Sequence, residues 1–104
     1  MLHSSSGAIH LQRWEPTVNI NNSLGQIVFG SSEDGGTTIN NSASIVALSS
    51  QNHTSTTSGG YLTFSTTPNN TTTLEERLRI DHNGNVGIGT SSPNSTVGKL
   101  DIAG

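Results

Sequence analysis

Chemistry in this chain would have to come from four histidines, seven carboxylates and four basic side chains, because there is no cysteine. His3, His10, His53 and His82 are widely separated and form no HxH or HxxxH pair. A threefold axis bringing three copies of one histidine together would make a ligand set, since imidazole suits zinc and related metals. His10 and His82 are the best placed for it. A solvated or hydrogen-bonded histidine is the simpler account, so no metal ligand is assigned. Asp81-His82-Asn83-Gly84-Asn85 looks superficially like a calcium loop. The EF-hand pattern, however, needs glycine sixth and glutamate twelfth; here Gly84 is fourth and Ser92 twelfth. Glu75, Glu76 and Asp81 are the acids that cluster, and a glycosidase needs two carboxylates facing one sugar. Strand alternation puts Glu75 and Glu76 on opposite faces, with Arg77 and Arg79 following on the face of Glu75. Ion pairing is the better expectation. Gly84-x-x-Gly87-x-Gly89 is not the dinucleotide fingerprint and opens no helix. No catalytic, cofactor-binding or metal residue is assigned, and the chain reads as a non-enzyme that needs no cofactor.

What the chain is rich in points elsewhere. Serine, threonine, asparagine and glycine supply about half of its 104 residues, hydrophobic residues 29% and charged residues 11%. So small an apolar share makes a thin core, and small cores are commonly supplemented by oligomerisation. Disorder would require low hydrophobicity with high net charge. The charge is only −3, and the apolar residues fall in alternating pairs. Four basic residues in a mildly acidic chain disfavour a nucleic-acid partner. No apolar run approaches the length of a membrane-spanning helix, so membrane insertion is not expected. The opening MLHSSSGAIH lacks the basic region and apolar stretch of a signal peptide. Six Asn-x-Ser/Thr sequons start at Asn21, Asn40, Asn52, Asn69, Asn70 and Asn94, against roughly three expected by chance, too small an excess to argue for glycosylation.

The elements are short and punctuated. Ala8–Arg13 reads as a strand with Ile9 and Leu11 on one face, ended by Trp14-Glu15-Pro16. Val18 and Ile20 continue as an extended piece. Leu24–Gly30 is a strand with Ile27 and Phe29 paired, and Ser31–Gly36 is a turn cluster. Ile39–Ser49 carries Ile45/Ala47 on one face and Val46/Leu48 on the other, the pattern of a strand covered on both sides. Gly59–Thr66 points Leu62 and Phe64 inward. Leu74–Asp81 follows with Leu78/Ile80, then Val86/Ile88 and Leu100/Ile102. Asn83-Gly84 between them predicts a type I′ hairpin, which needs positive φ at both central residues. Glycines in a strand mark close approach of another backbone, which singles out Gly84, Gly87 and Gly89 and suggests chain-to-chain contact. Trp14 and Tyr61 could stack on sugar rings, but packing at a strand end or protomer interface is the preferred reading. Short strands separated by turn signals predict an all-β fold.

The block LRIDHNGNVGIGTSSP, followed by KLDIAG, resembles a repeat of bacteriophage tail-fibre and related appendage proteins, RI-D-x-x-GNVGIGT-x-x-P and then KLDV-x-G. LGQIVFGSSEDGG, ASIVAL and GGYLTFSTTP resemble further parts of the same module. The resemblance covers roughly residues 24–104, which sets the expected division: 1–23 an N-terminal strand and connector, 24–104 the β-module. The chain departs from the repeat in carrying NSTVG between Pro93 and Lys99. The autoproteolytic chaperone domain that ends many such fibres has no visible counterpart.

The resemblance implies an elongated, intertwined, β-prism-like homotrimeric fibre segment. Its shared oligomer core would be Ile27, Phe29, Leu62, Phe64, Leu78, Ile80, Val86, Ile88, Leu100 and Ile102. The expected role is structural, supporting host attachment, with the virion as location. The expected partners are sister copies, other fibre segments or virion proteins, and host-surface glycans. A repeat module of a bacterial extracellular filament or adhesin is the alternative.

Overall fold

The structure is a computed structural model and describes residues 7–94 and 99–103. It contains one six-stranded sheet: β1 (Ser23–Ser31), β2 (Asn40–Ser49), β3 (Gly60–Thr66), β4 (Glu75–Ile80), β5 (Val86–Ile88) and β6 (Leu100–Ile102). The strands lie side by side in chain order. β1 to β5 form an antiparallel meander, and β6 joins β5 in parallel. No helix occurs among the described residues. The all-β expectation holds, and all six strands fall within one residue of where alternation placed them. β5 and β6 are the shortest, three residues each. From residue 95 on, the NSTVG departure lies outside the described residues.

Two of the turns have a clear local cause. Between β1 and β2, Gly35 and Gly36 take positive φ, and the Asp34 carboxylate accepts the Thr37 and Thr38 N–H groups at 3.1 and 2.9 Å. The β4–β5 hairpin corrects the sequence reading. Gly84 has positive φ but Asn83 does not, so the turn is not type I′. Gly84 N–H donates to the Asp81 carbonyl at 3.0 Å, and Asp81 N–H to the Asn85 carbonyl at 2.9 Å. This is a type I turn followed by a left-handed glycine. The Asp81 side chain selects it by accepting the N–H groups of Asn83 and Asn85, both at 2.9 Å.

The N-terminal strand is a second correction. Residues 8–13 join no ladder, because β1 ends the sheet and its outer edge stays open. Val18–Asn22 is instead clipped to the end of β2 and the loop after it. His53 N–H donates to the Val18 carbonyl, Asn21 N–H to the Ser49 carbonyl, and Ile20 N–H to Asn52 Oδ1, all within 2.9 Å. The fully buried Ser49 hydroxyl donates to the Asn19 carbonyl beneath this clip.

Burial is where the molecule departs from an ordinary domain. No apolar side chain is buried among the described residues; the buried ones are Ser44, Ser49, Thr63 and Asn85, together with the backbone at Gly87. Val46 and Leu48, expected to be covered, are only half-buried. The radius of gyration is 16.2 Å, against about 13 Å for a compact chain of this length. One sheet with no second layer has nothing to bury its apolar side against.

Candidate assembly interface

Strand register turns scattered pairs into a continuous surface. Ile27, Ile45, Phe64, Leu78, Ile88 and Ile102 stand opposite one another in turn across all six strands. The neighbouring row runs Gly25, Ala47, Leu62, Ile80, Val86 and Leu100. Phe29 extends the same face beyond the first row, opposite Ala43. Side chains two apart on a strand share a face, so both rows and Phe29 project from one side of the sheet.

All ten residues assigned to the oligomer core lie on this face. Six of them remain open to solvent in the single chain, Phe29 at 54% and Ile102 at 62%; Leu62, Phe64, Leu78 and Val86 are half-buried. The assignment omitted Ile45 and Ala47, which complete the two rows. Their pairing was visible in the sequence, but Val46 and Leu48 are as apolar, so alternation alone left β2 without a marked inner face. Leu11 was also missed as a member of this face. An ideal Cβ on Gly25 would lie 2.8 Å from Leu11 Cβ, so the N-terminal segment crosses the face at β1. An apolar hollow of about 190 Å³ opens there, lined by Leu11, Gly25, Gln26, Ile27, Ile45, Ala47 and Leu62.

The opposite face carries a polar cluster beside the apolar Val28, Val46 and Leu48. Arg79 donates to both Glu76 oxygens at 2.9 and 2.7 Å and lies 4.4 Å over the Tyr61 ring. The Tyr61 hydroxyl donates to Asn21 Oδ1 at 2.9 Å. Hydrogen bonding to Glu76 holds the Arg79 guanidinium above its ordinary value. Simple alternation had placed Arg79 with Glu75. A bulge between Phe64 and Ser65 pairs Glu76 with Ser65, which carries Glu76 to the side of Thr63 and Arg79. Arg77 pairs with Glu75 at 3.3 Å. The ion-pair reading therefore holds for Glu75 and Glu76, with Arg77 on Glu75 as expected and Arg79 moved to Glu76.

The remaining sequence candidates separate. Gly87 does face a close approach, to its own chain: a Cβ there would meet the Thr90 carbonyl oxygen at 2.6 Å and Pro93 Cβ at 3.2 Å. Gly84 serves the hairpin and has open space around it, while Gly89, with positive φ, ends β5 beside Ala103. His53 Nε2 lies 2.9 Å from the Gly59 carbonyl oxygen. His10, His53 and His82 lie on three different segments, and no group of three potential metal-binding side chains occurs among the described residues. His3 lies outside them.

No protein family and no curated protein matches the sequence. Among solved structures the fold is that of phage tail-fibre carboxy-terminal domains. One is the carboxy-terminal domain of the bacteriophage T5 L-shaped tail fibre with its intramolecular chaperone domain. It has a TM-score of 0.74 and 16% identity over 99% of this chain and 34% of that one. The other is the carboxy-terminal domain of the same fibre, with a TM-score of 0.70 and 18% identity over 95% of this chain and 39% of that one. The likeness is one of fold, and the chain spans little more than a third of either length.

Proposed function

We propose that this chain is a structural segment of a viral tail fibre or similar appendage, in which three copies close their apolar faces on one another. The observation that carries the proposal is the pair of apolar rows crossing all six strands, in a chain with no buried apolar side chain of its own among the described residues. Removing such rows from water is the dominant favourable term available to this fold. Exposed apolar patches of this extent mark interaction surfaces. Two sheets face to face would cover the same rows; the resemblance of the sequence to fibre modules favours three.

The role is then mechanical. A prism of three sheets makes a stiff shaft, joined along its axis to other fibre segments or virion proteins, that holds a receptor-binding tip away from the particle. The Ser/Thr/Asn-rich outer surfaces keep it solvated and offer host-surface glycans weak contacts whose threefold repetition adds avidity. Light scattering on the isolated chain tests the assembly. A mass of three chains is the expected result. A single-chain mass with cooperative unfolding overturns the proposal, and a two-chain mass overturns its threefold form.

A further inference from the structure

The segment Ile9–Trp14 has a fixed root and no ladder of its own. Its root is the clip that ties Val18–Asn22 to β2 and the following loop. Beyond the root, Arg13 pairs with Glu15 and donates to the Ser23 carbonyl at 3.2 Å. Leu11 sits in the notch that Gly25 leaves on the apolar face. A side chain at residue 25 would expel it, so the notch and the segment fit together.

The segment nevertheless leaves its apolar groups largely in water, Leu11 itself being 50% exposed. Ile9 is 83% exposed and Trp14, the chain's single tryptophan, 89%. In an extended segment Leu11 and Trp14 have opposite parity, so Trp14 lies on the side away from its own sheet. That is the side from which any copy closing on the apolar face must arrive. The segment is thus continuous with the proposed interface and already occupies one end of it.

We infer that Ile9–Trp14 is an interlocking arm: Leu11 anchors it to its own sheet, and Trp14 packs against a second copy of this chain. The inference rests on the assembly reading above and adds to it a named element outside the sheet. It also explains an amphipathic, strand-like sequence that joins no strand ladder among the described residues. Aromatic side chains of this kind supply much of the energy of interfaces.

The single tryptophan makes the test direct. In the full chain, at concentrations where light scattering gives three copies, Trp14 emission is expected to be blue-shifted and shielded from acrylamide. On dilution it should redden in step with dissociation. Trp14→Ser and Trp14→Asp, followed by light scattering, should each raise the dissociation midpoint at least about tenfold. A trimer whose Trp14 is as quenchable as the free amino acid, or variants that dissociate like the parent, overturns the arm and leaves the assembly standing. A single-chain mass at every concentration overturns both.

Discussion

The Thr90 carbonyl oxygen lies 2.6 Å from where a Cβ on Gly87 would stand. Gly87 projects opposite to Val86 and Ile88, so the start of the β5–β6 connection is pressed onto the polar side of β5. A parallel strand pair needs a long connection, and this one begins by folding flat over the strand it leaves. The glycine is what lets it do so.

Gly87→Ala should therefore lower stability by about 1–3 kcal/mol, the range for overpacking against groups that cannot yield. Gly84 gives the comparison, since its φ of +83° strains any side chain although the space around it is open; Gly84→Ala should cost about 1–2 kcal/mol. Urea unfolding at matched chain concentration measures both. An unchanged midpoint for Gly87→Ala would show that the connection does not bear on β5.

Arg79 should be the costliest polar residue of the outer face to replace. It combines a bidentate pair with Glu76, both side chains about a quarter exposed, and a stack on Tyr61. Partly exposed ion pairs and cation–π contacts contribute up to about 1 kcal/mol each. Arg79→Ala is expected to cost about 1–2 kcal/mol by urea unfolding. Arg79→Lys should recover less than half, because an ammonium cannot form the fork. Full recovery by lysine would mean that charge alone matters there.

These relationships differ in how far the sequence discloses them. Ile27/Phe29 and Leu62/Phe64 are legible because period-two alternation with polar partners defines a face wherever one side is apolar. The alignment of those pairs into rows is not, because register depends on loop lengths and on bulges such as the one beside Phe64. That same bulge shifts Glu76 to the side of Arg79, which alternation cannot foresee. Ile9 and Leu11 alternate like a strand, but alternation states only that a face exists. It says nothing of whether a neighbouring chain segment is present to pair with it. At Asn83-Gly84 the dipeptide favours type I′, and the Asp81 carboxylate overrides it by binding the N–H groups two and four residues on.

That carboxylate should make the hairpin acid-sensitive. Partial desolvation would raise the Asp81 pKa, but the N–H groups of Asn85 and Asn83 and the Asn85 amide together bring it below its ordinary value. A carboxylate with a depressed folded pKa stabilises the fold above its unfolded pKa, about 3.9. The contribution is lost as pH falls through the folded value. The urea midpoint should accordingly be flat in this respect from about pH 5 upward and fall below about pH 4. Asp81→Asn should flatten part of that acid limb. An acid limb identical in the variant would remove Asp81 as its source.

The apolar rows offer the sharpest separation between stability and assembly. Ile27 is 48% exposed in the single chain, and substitutions at exposed positions away from special features usually change stability by no more than about 0.5 kcal/mol. If the face were simply a solvated surface, Ile27→Glu would be nearly silent. Within an interface the same change buries an unpaired charge, which costs several kcal/mol, and a threefold assembly would incur it three times. The expected outcome is a soluble, single-chain protein that keeps its β-rich circular dichroism spectrum and has lost the three-chain mass. Val28→Glu, one residue away on the opposite face and 39% exposed, should leave that mass intact. Loss of assembly by both variants, or by neither, would contradict the assignment of this face as the side on which copies meet.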